Sequence, residues 1–174
     1  MDLIFCTLFD SNYIDKGLVL YDSMVRTMPE FKLYAFAFDK KCEDILEKEN
    51  LKNLIVVSLD EFETEDLLRV KKERTRAEYC WTCSSNSIRY VIQHFNEPIC
   101  TYIDADMMFF SNPQIVFDEM KKQGCSTIIV PHRFKTIEEE KENMLVLDHI
   151  VWNLIHLLMI KMVWRLWNGG VSSV

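Results

Sequence analysis

Glycine is scarce in this chain: four in 174 residues, with none between Met1 and Lys16. A phosphate loop after a first strand needs backbone that closes around an anion with no Cβ in the way. The lack argues against the nucleotidyltransferase plan, which opens on such a loop. A basic face is lacking too. The net charge is −7 and the isoelectric point about 5.1, and phosphate backbones want the opposite sign, so nucleic acid is not an expected partner. The one basic run, Lys71-Lys72-Glu73-Arg74-Thr75-Arg76, reads either as a group that meets a diphosphate or an acidic membrane, or as a solvated face. Of the six cysteines, only Cys80-Trp81-Thr82-Cys83 forms a C-x-x-C. No second pair stands at zinc spacing, and a redox pair would open a helix after a strand. Cys6, Cys100 and Cys125 lie in or beside expected strands, as small hydrophobes do. No basic leader precedes the short first apolar stretch, so no secretory signal is read. Reduced thiols in a cytoplasmic protein are the simplest account. No internal repeat or low-complexity segment is present.

What is there suits one globular α/β domain, 49% hydrophobic and 27% charged. Leu3–Phe9 reads as a buried first strand, followed by the loop Asp10-Ser11-Asn12-Tyr13. Ile14, Leu18, Tyr21, Val25 and Met28 recur at steps of four and three, one apolar helix face. Strands are expected at 33–38, 54–57, 99–103 and 126–130. Helices are expected at 42–50, within 61–76, at 84–95, and after Pro113, where Ile115, Val116, Phe117 and Met120 supply the apolar side and Gly124 the C-terminal cap. Alternating strands and helices imply a mostly parallel sheet with helices on both faces.

The most informative feature is Asp104-Ala105-Asp106, directly after the β-branched and aromatic run Ile99-Cys100-Thr101-Tyr102-Ile103. Ligands of open α/β sheets bind beyond the carboxyl ends of strands. Two carboxylates there suit a hard divalent cation shared with a substrate's phosphates. The plain alternative is a pair of solvated acids capping the next helix. An aspartate-nucleophile phosphatase would carry its D-x-D after the first strand instead. In the first loop, Asp10 or Asn12 as a helix N-cap, with Tyr13 packed over the helix start, is the structural alternative to a nucleotide site.

The stretch from Cys100 to Pro113 resembles the D-x-D segment of nucleotide-sugar glycosyltransferases of the GT-A fold, and is closest to the family-eight-like bacterial type, Y-(L/I)-D-(A/I)-D with a helix that opens on proline. These enzymes also carry a D-x-N-Y like Asp10-Ser11-Asn12-Tyr13. The resemblance implies a metal-dependent transferase. Asp10 and Asn12 would hydrogen-bond the base and ribose, Tyr13 would stack on the base, and Asp104 and Asp106 would hold Mn²⁺ or Mg²⁺ against the diphosphate. The donor would be a nucleotide-diphosphate sugar and the acceptor an unidentified glycan or lipid-linked group. The R-x-E-Y-x-W-T segment Arg76–Thr82 also occurs in these enzymes. It reads as an aromatic anchor beside the sheet or as part of the donor pocket wall. His132 stands just after an expected strand, but no role transfers to it.

The chain divides by pattern into 1–143, the nucleotide-sugar-binding part, and 144–174, an atypical hydrophobic tail. From Met144 onward there is one acid, Asp148, against twenty-six before it, and three of the four tryptophans, Trp152, Trp164 and Trp167. Asp148, His149, Asn153, His156, Lys161 and Arg165 interrupt the tail, against a membrane span. A membrane anchor and an interfacial helix are the minor readings. The leading expectation is that the tail is read out of frame. Permitted codons for Trp152 to Val174, shifted, can encode E-F-N-T-F-I-N-D-K-N-G-M-E-A-L-E-W-W-R-E-Q-C, which resembles F-N-x-F…G…L-x-W-W-R downstream of D-x-D in these transferases. Such a tail would leave a truncated enzyme. The alternative function is accordingly an inactive remnant or a non-catalytic nucleotide-binding module.

Overall fold

Residues 3–124, 128–129 and 155–156 are described by the computed structural model. The expected calls on Cys125, His132 and the rest of the tail, with its frame and its tryptophans, lie outside the described residues. Strand β1 (Leu3–Phe9) is buried along its whole length. It pairs in parallel with β2 (Phe31–Ala37), and β2 with β3 (Leu54–Ser58). On its other side β1 pairs in parallel with β4 (Thr101–Tyr102), giving the order β3-β2-β1-β4. The chain thus runs one way from β1 to β2 and β3, then returns to the far side of β1.

Period-two alternation sends the side chains of β1 and β2 into two cores. Phe5 and Leu33 meet Leu20 and Met24 of α1 (Ile14–Thr27) on one face, and Ala35 and Ala37 meet Cys42 and Leu46 of α2 (Lys40–Glu49). On the other face Ile4, Cys6, Tyr34 and Phe36 meet Phe62 of α3 (Leu59–Phe62) and Tyr79, Ile88 and Val91 of α5 (Arg76–His94). Between α3 and α5 lies the short α4 (Glu65–Lys71). Helices therefore cover both faces of a parallel sheet, as the sequence implied. The last helix, α6 (Gln114–Gln123), sends Met120 and Phe117 into these cores and ends on Gly124, whose φ of 67° suits a residue without Cβ. Separately, β5 (Ile128–Ile129) and β6 (Ile155–His156) form an antiparallel pair. The expected strand at 126–130 is thus a strand at its centre. Its partner, β6, lies in the tail.

Three local readings need correction. On α1 and its C-cap, Met28 is buried and Ile14, Leu18 and Tyr21 pack against the cores as expected, but Val25 is exposed, and Gly17, Leu20, Ser23 and Met24 are buried beside them. Gly17 sits against the Phe9 ring, where an added Cβ would come within 2.5 Å. On α6, Ile115 is 76% exposed and Val116 is exposed too. A helix buries one stripe, and Phe117 and Met120 take it. Helix α5 begins at Arg76, not Ser84, on a capping box: Glu78 N–H donates to the Thr75 hydroxyl, and Thr75 N–H to the Glu78 carboxylate at 2.8 Å.

Candidate functional site

The strand order places a topological switch point between β1 and β4, where the connections leave in opposite directions; in open α/β sheets this is where ligands bind, in the crevice beyond the strand ends. Asp10 follows β1, and Asp104 follows β4 by way of Ile103, whose amide still donates to Cys6 O at 2.9 Å. The first loop and the carboxylate pair, far apart in sequence, thus meet at one edge of the sheet.

Asp104 opens a tight turn, in which the Met107 amide donates to its carbonyl at 3.1 Å. Ala105 tucks into the core with Phe9, Ala35 and Ala37. Asp104 is left half-buried and Asp106 exposed, on either side of that anchor. Burial pushes the Asp104 carboxyl above its usual range; the Tyr102 hydroxyl donates to it and pulls the other way, and the charge of Asp106 adds to the rise. Tyr102 itself is raised by burial and by the Asp104 charge. Among the described residues, no lysine or arginine forms a salt bridge with either carboxylate of the pair. Two hard oxygen donors on one turn, with no cationic side chain among the described residues paired to them, fit a divalent cation such as Mn²⁺ or Mg²⁺. No group of three or more candidate ligands gathers among the described residues, so such an ion would complete its shell with ligand oxygens or water.

The segment after the pair is fixed to α1. Phe109 N–H donates to Ser23 Oγ at 3.0 Å, and its ring meets Phe5 edge-on at 5.6 Å. The first loop is wired by two aspartates. Asn12 donates its amide to Asp10 Oδ1 at 2.9 Å and its Nδ2 to Asp10 Oδ2 at 3.4 Å. Ser11 N–H donates to Asp39 Oδ2 at 3.0 Å, and Asp39 also caps α2 through Cys42 N–H at 2.7 Å. Burial would raise the Asp39 carboxyl, but these two amides outweigh it and hold it below its usual range.

Neither Asp10 nor Asn12 caps α1: its N-cap is Tyr13, with no side-chain bond. Tyr13 is not packed into the core either. It is 46% exposed, with Lys16 Nζ 4.1 Å from its ring centre. The capping alternative therefore fails, whereas Tyr13, with Lys16 of the first turn over its ring, does lie at the helix start.

The basic run is mostly used locally. Lys71 pairs with Glu63 at 2.7 Å, and the Arg74 guanidinium donates to Thr82. Arg76 instead pairs with Asp10. Of the aromatics that follow, Tyr79 is the anchor, buried and donating to Glu63 at 2.6 Å, whereas Trp81 is 71% exposed. Cys80 and Cys83 are free thiols within α5 rather than at its start. Burial pushes both up, Cys83 to about 12, against a reactive thiolate pair. Sequence reasoning placed Arg76 in a candidate segment but missed its pairing with Asp10, and it passed over Asp39. The signal for Asp39 was its place after a strand, the same position held by Asp10 and Asp104.

No family model matches the chain. It is 25% identical over 152 residues to the uncharacterized protein YfnF of Bacillus subtilis (strain 168), spanning 87% of this chain and 50% of that protein. It is 29% identical over 130 residues to the uncharacterized protein YfnD of the same strain, 74% of this chain and 41% of that one. The chain thus spans about half the length of the curated relatives it matches. Among solved structures it is similar to mouse xyloside xylosyltransferase 1 in its apo form (TM-score 0.51, 16% identity, 77% of this chain and 53% of that chain). It is also similar to the glycosyltransferase GlyE of Streptococcus pneumoniae TIGR4 (TM-score 0.53, 12% identity, 97% of this chain and 36% of that chain). At these identities the likeness establishes the fold: a glycosyltransferase fold of the GT-A type. Among the described residues no helix is long and apolar enough to cross a membrane.

Proposed function

We propose that this chain is the donor-binding part of a glycosyltransferase that takes its sugar from a nucleotide-diphosphate sugar. The observation that carries the reading is the carboxylate pair Asp104 and Asp106 on a fixed turn at the switch point of a glycosyltransferase fold. Asp10 and Asn12 hold the nucleoside by hydrogen bonds, and the exposed Tyr13 ring offers a face to the base. Asp104 and Asp106 would hold Mn²⁺ or Mg²⁺ beside the donor's diphosphate, where it would supply positive charge to the leaving group. Ala105 and the Ser23–Phe109 bond keep the two carboxylates in place, and the Tyr102 hydroxyl orients Asp104. The acceptor is a glycan or a lipid-linked group.

Incubating the chain with UDP-, dTDP- and GDP-sugars and Mn²⁺, with chromatographic detection of freed nucleoside diphosphate, tests the reading. Release that disappears in Asp106→Ala supports it. Metal-dependent donor binding without release favours a non-catalytic nucleotide-binding module, and neither binding nor release with any donor overturns both. The shifted reading frame of the tail is a separate proposal, tested by the DNA sequence across codons 138–174. An unshifted frame with no alternative homology rules it out.

A further inference from the structure

We propose that Arg76 is a positioning residue of the nucleotide site, acting through Asp10; this rests on the reading that the crevice takes a nucleotide. Asp10 comes from the end of β1 and Arg76 from the first turn of α5, and their ion pair joins these two elements at the carboxyl end of the sheet. The Asp10 side chain is only 11% exposed, whereas that of Arg76 is 68% exposed and lies at the rim. The backbone of Arg76 is fixed, because the Thr75–Glu78 capping box closes around it and the helix continues for 19 residues. Its neighbours Lys71 and Arg74 are held by Glu63 and Thr82, away from the strand ends.

A carboxylate offers about four lone-pair sites. On Asp10, Oδ1 takes the Asn12 amide, and Oδ2 takes Arg76 and, at a long 3.4 Å, Asn12 Nδ2. One site on Oδ1 remains for an incoming donor, the N–H of a base or a hydroxyl of ribose. Without Arg76, Oδ2 keeps only the long bond to Asn12 Nδ2, and little holds the carboxylate plane. Asn12 then loses its fixed partner as well. Arg76 therefore sets the direction in which Asp10 can accept, and so governs recognition of the nucleoside rather than of the phosphates.

The experiment uses the full chain and three probes: uridine, UDP, and inorganic pyrophosphate, each with Mn²⁺, by calorimetry. Arg76→Gln is expected to weaken uridine and UDP alike, by roughly 10-fold, the scale of a hydrogen bond to a charged group. Pyrophosphate should bind as before. Asp10→Asn should do the same, and the double variant should be no weaker than either single one, because both break one unit. Arg76→Lys, which keeps charge but not the planar fork, should recover part of the affinity and serves also if Arg76→Gln is too unstable to titrate. Loss of UDP and pyrophosphate binding with uridine unchanged would put Arg76 on the diphosphate and overturn the proposal. So would additive effects, or a lowered melting temperature with every affinity unchanged. If the wild type binds pyrophosphate but neither uridine nor UDP, the nucleotide reading itself fails, a result distinct from wild-type binding that Arg76→Gln leaves intact.

Discussion

Ser23→Ala probes the joint that fixes the carboxylate turn. Ser23 is buried in α1; its hydroxyl donates to Leu20 O at 2.6 Å and accepts from Phe109 N–H at 3.0 Å. Removing one oxygen leaves almost no cavity, so the cost comes from the Phe109 amide left without its acceptor in a half-buried position. Such a loss costs about 1–3 kcal/mol. Alanine's better helix propensity returns roughly 0.5 kcal/mol. The net expectation is about 0.5–2.5 kcal/mol, or about 1–10 °C in Tm. Urea unfolding at constant m-value measures the cost, and hydrogen exchange at the Phe109 amide locates it. That amide should exchange faster in the variant, and Mn²⁺-dependent nucleotide binding should weaken because Asp106 loses its fixed surroundings. A variant as stable as the wild type, with Phe109 still protected, would refute the claim that Ser23 pins this segment.

Glu97→Ala should cost about 2 kcal/mol in urea melts, chiefly because the buried Tyr34 hydroxyl, 2.7 Å from Glu97, is left unpaired while the half-exposed Lys32 can regain water. Burial would raise the Glu97 carboxyl, but Lys32 and Tyr34 hold it below the usual 4.5. Its stabilisation is therefore complete above that value and lost as pH falls through the lowered one, so the variant and wild-type stability curves should converge only in strong acid. Tyr13→Ala should weaken UDP binding by about 1–3 kcal/mol if the ring stacks on a base and barely alter Tm, since the ring is exposed; calorimetry beside a thermal melt separates the two. Asp104→Asn removes a carboxylate that burial disfavours, so Tm at neutral pH should hold or rise while metal-dependent binding is lost. A clear fall in Tm would show that Asp104 holds the fold.

The sheet was legible in the sequence because β1 and β2 are buried on both faces and Leu3–Phe9 then reads as a short, almost unbroken apolar run, as the edge run 54–57 also does. The carboxylate pair was legible for the same reason, standing where such a run stops. Helix faces were harder. In Ile115-Val116-Phe117 three apolar neighbours compete for one stripe, and the winner depends on where the helix meets the sheet. The start of α5 was written in Thr75 and Glu78, but the aromatic cluster after it drew the reading elsewhere. The Asp10–Arg76 pair has no local signature. It exists because the sheet order brings the end of β1 beside the first turn of α5, a long-range consequence that pattern alone does not carry.

The central claim, a nucleotide-diphosphate site bridged by a cation on Asp104 and Asp106, is tested most directly by titrating UDP into the chain by calorimetry in Mn²⁺ and again in EDTA, for the wild type and Asp106→Ala. The account expects saturable binding of the wild type in Mn²⁺ that is lost in EDTA and lost in the variant under both conditions. Equal affinity with and without metal, or an Asp106→Ala variant that binds as the wild type does, would contradict it.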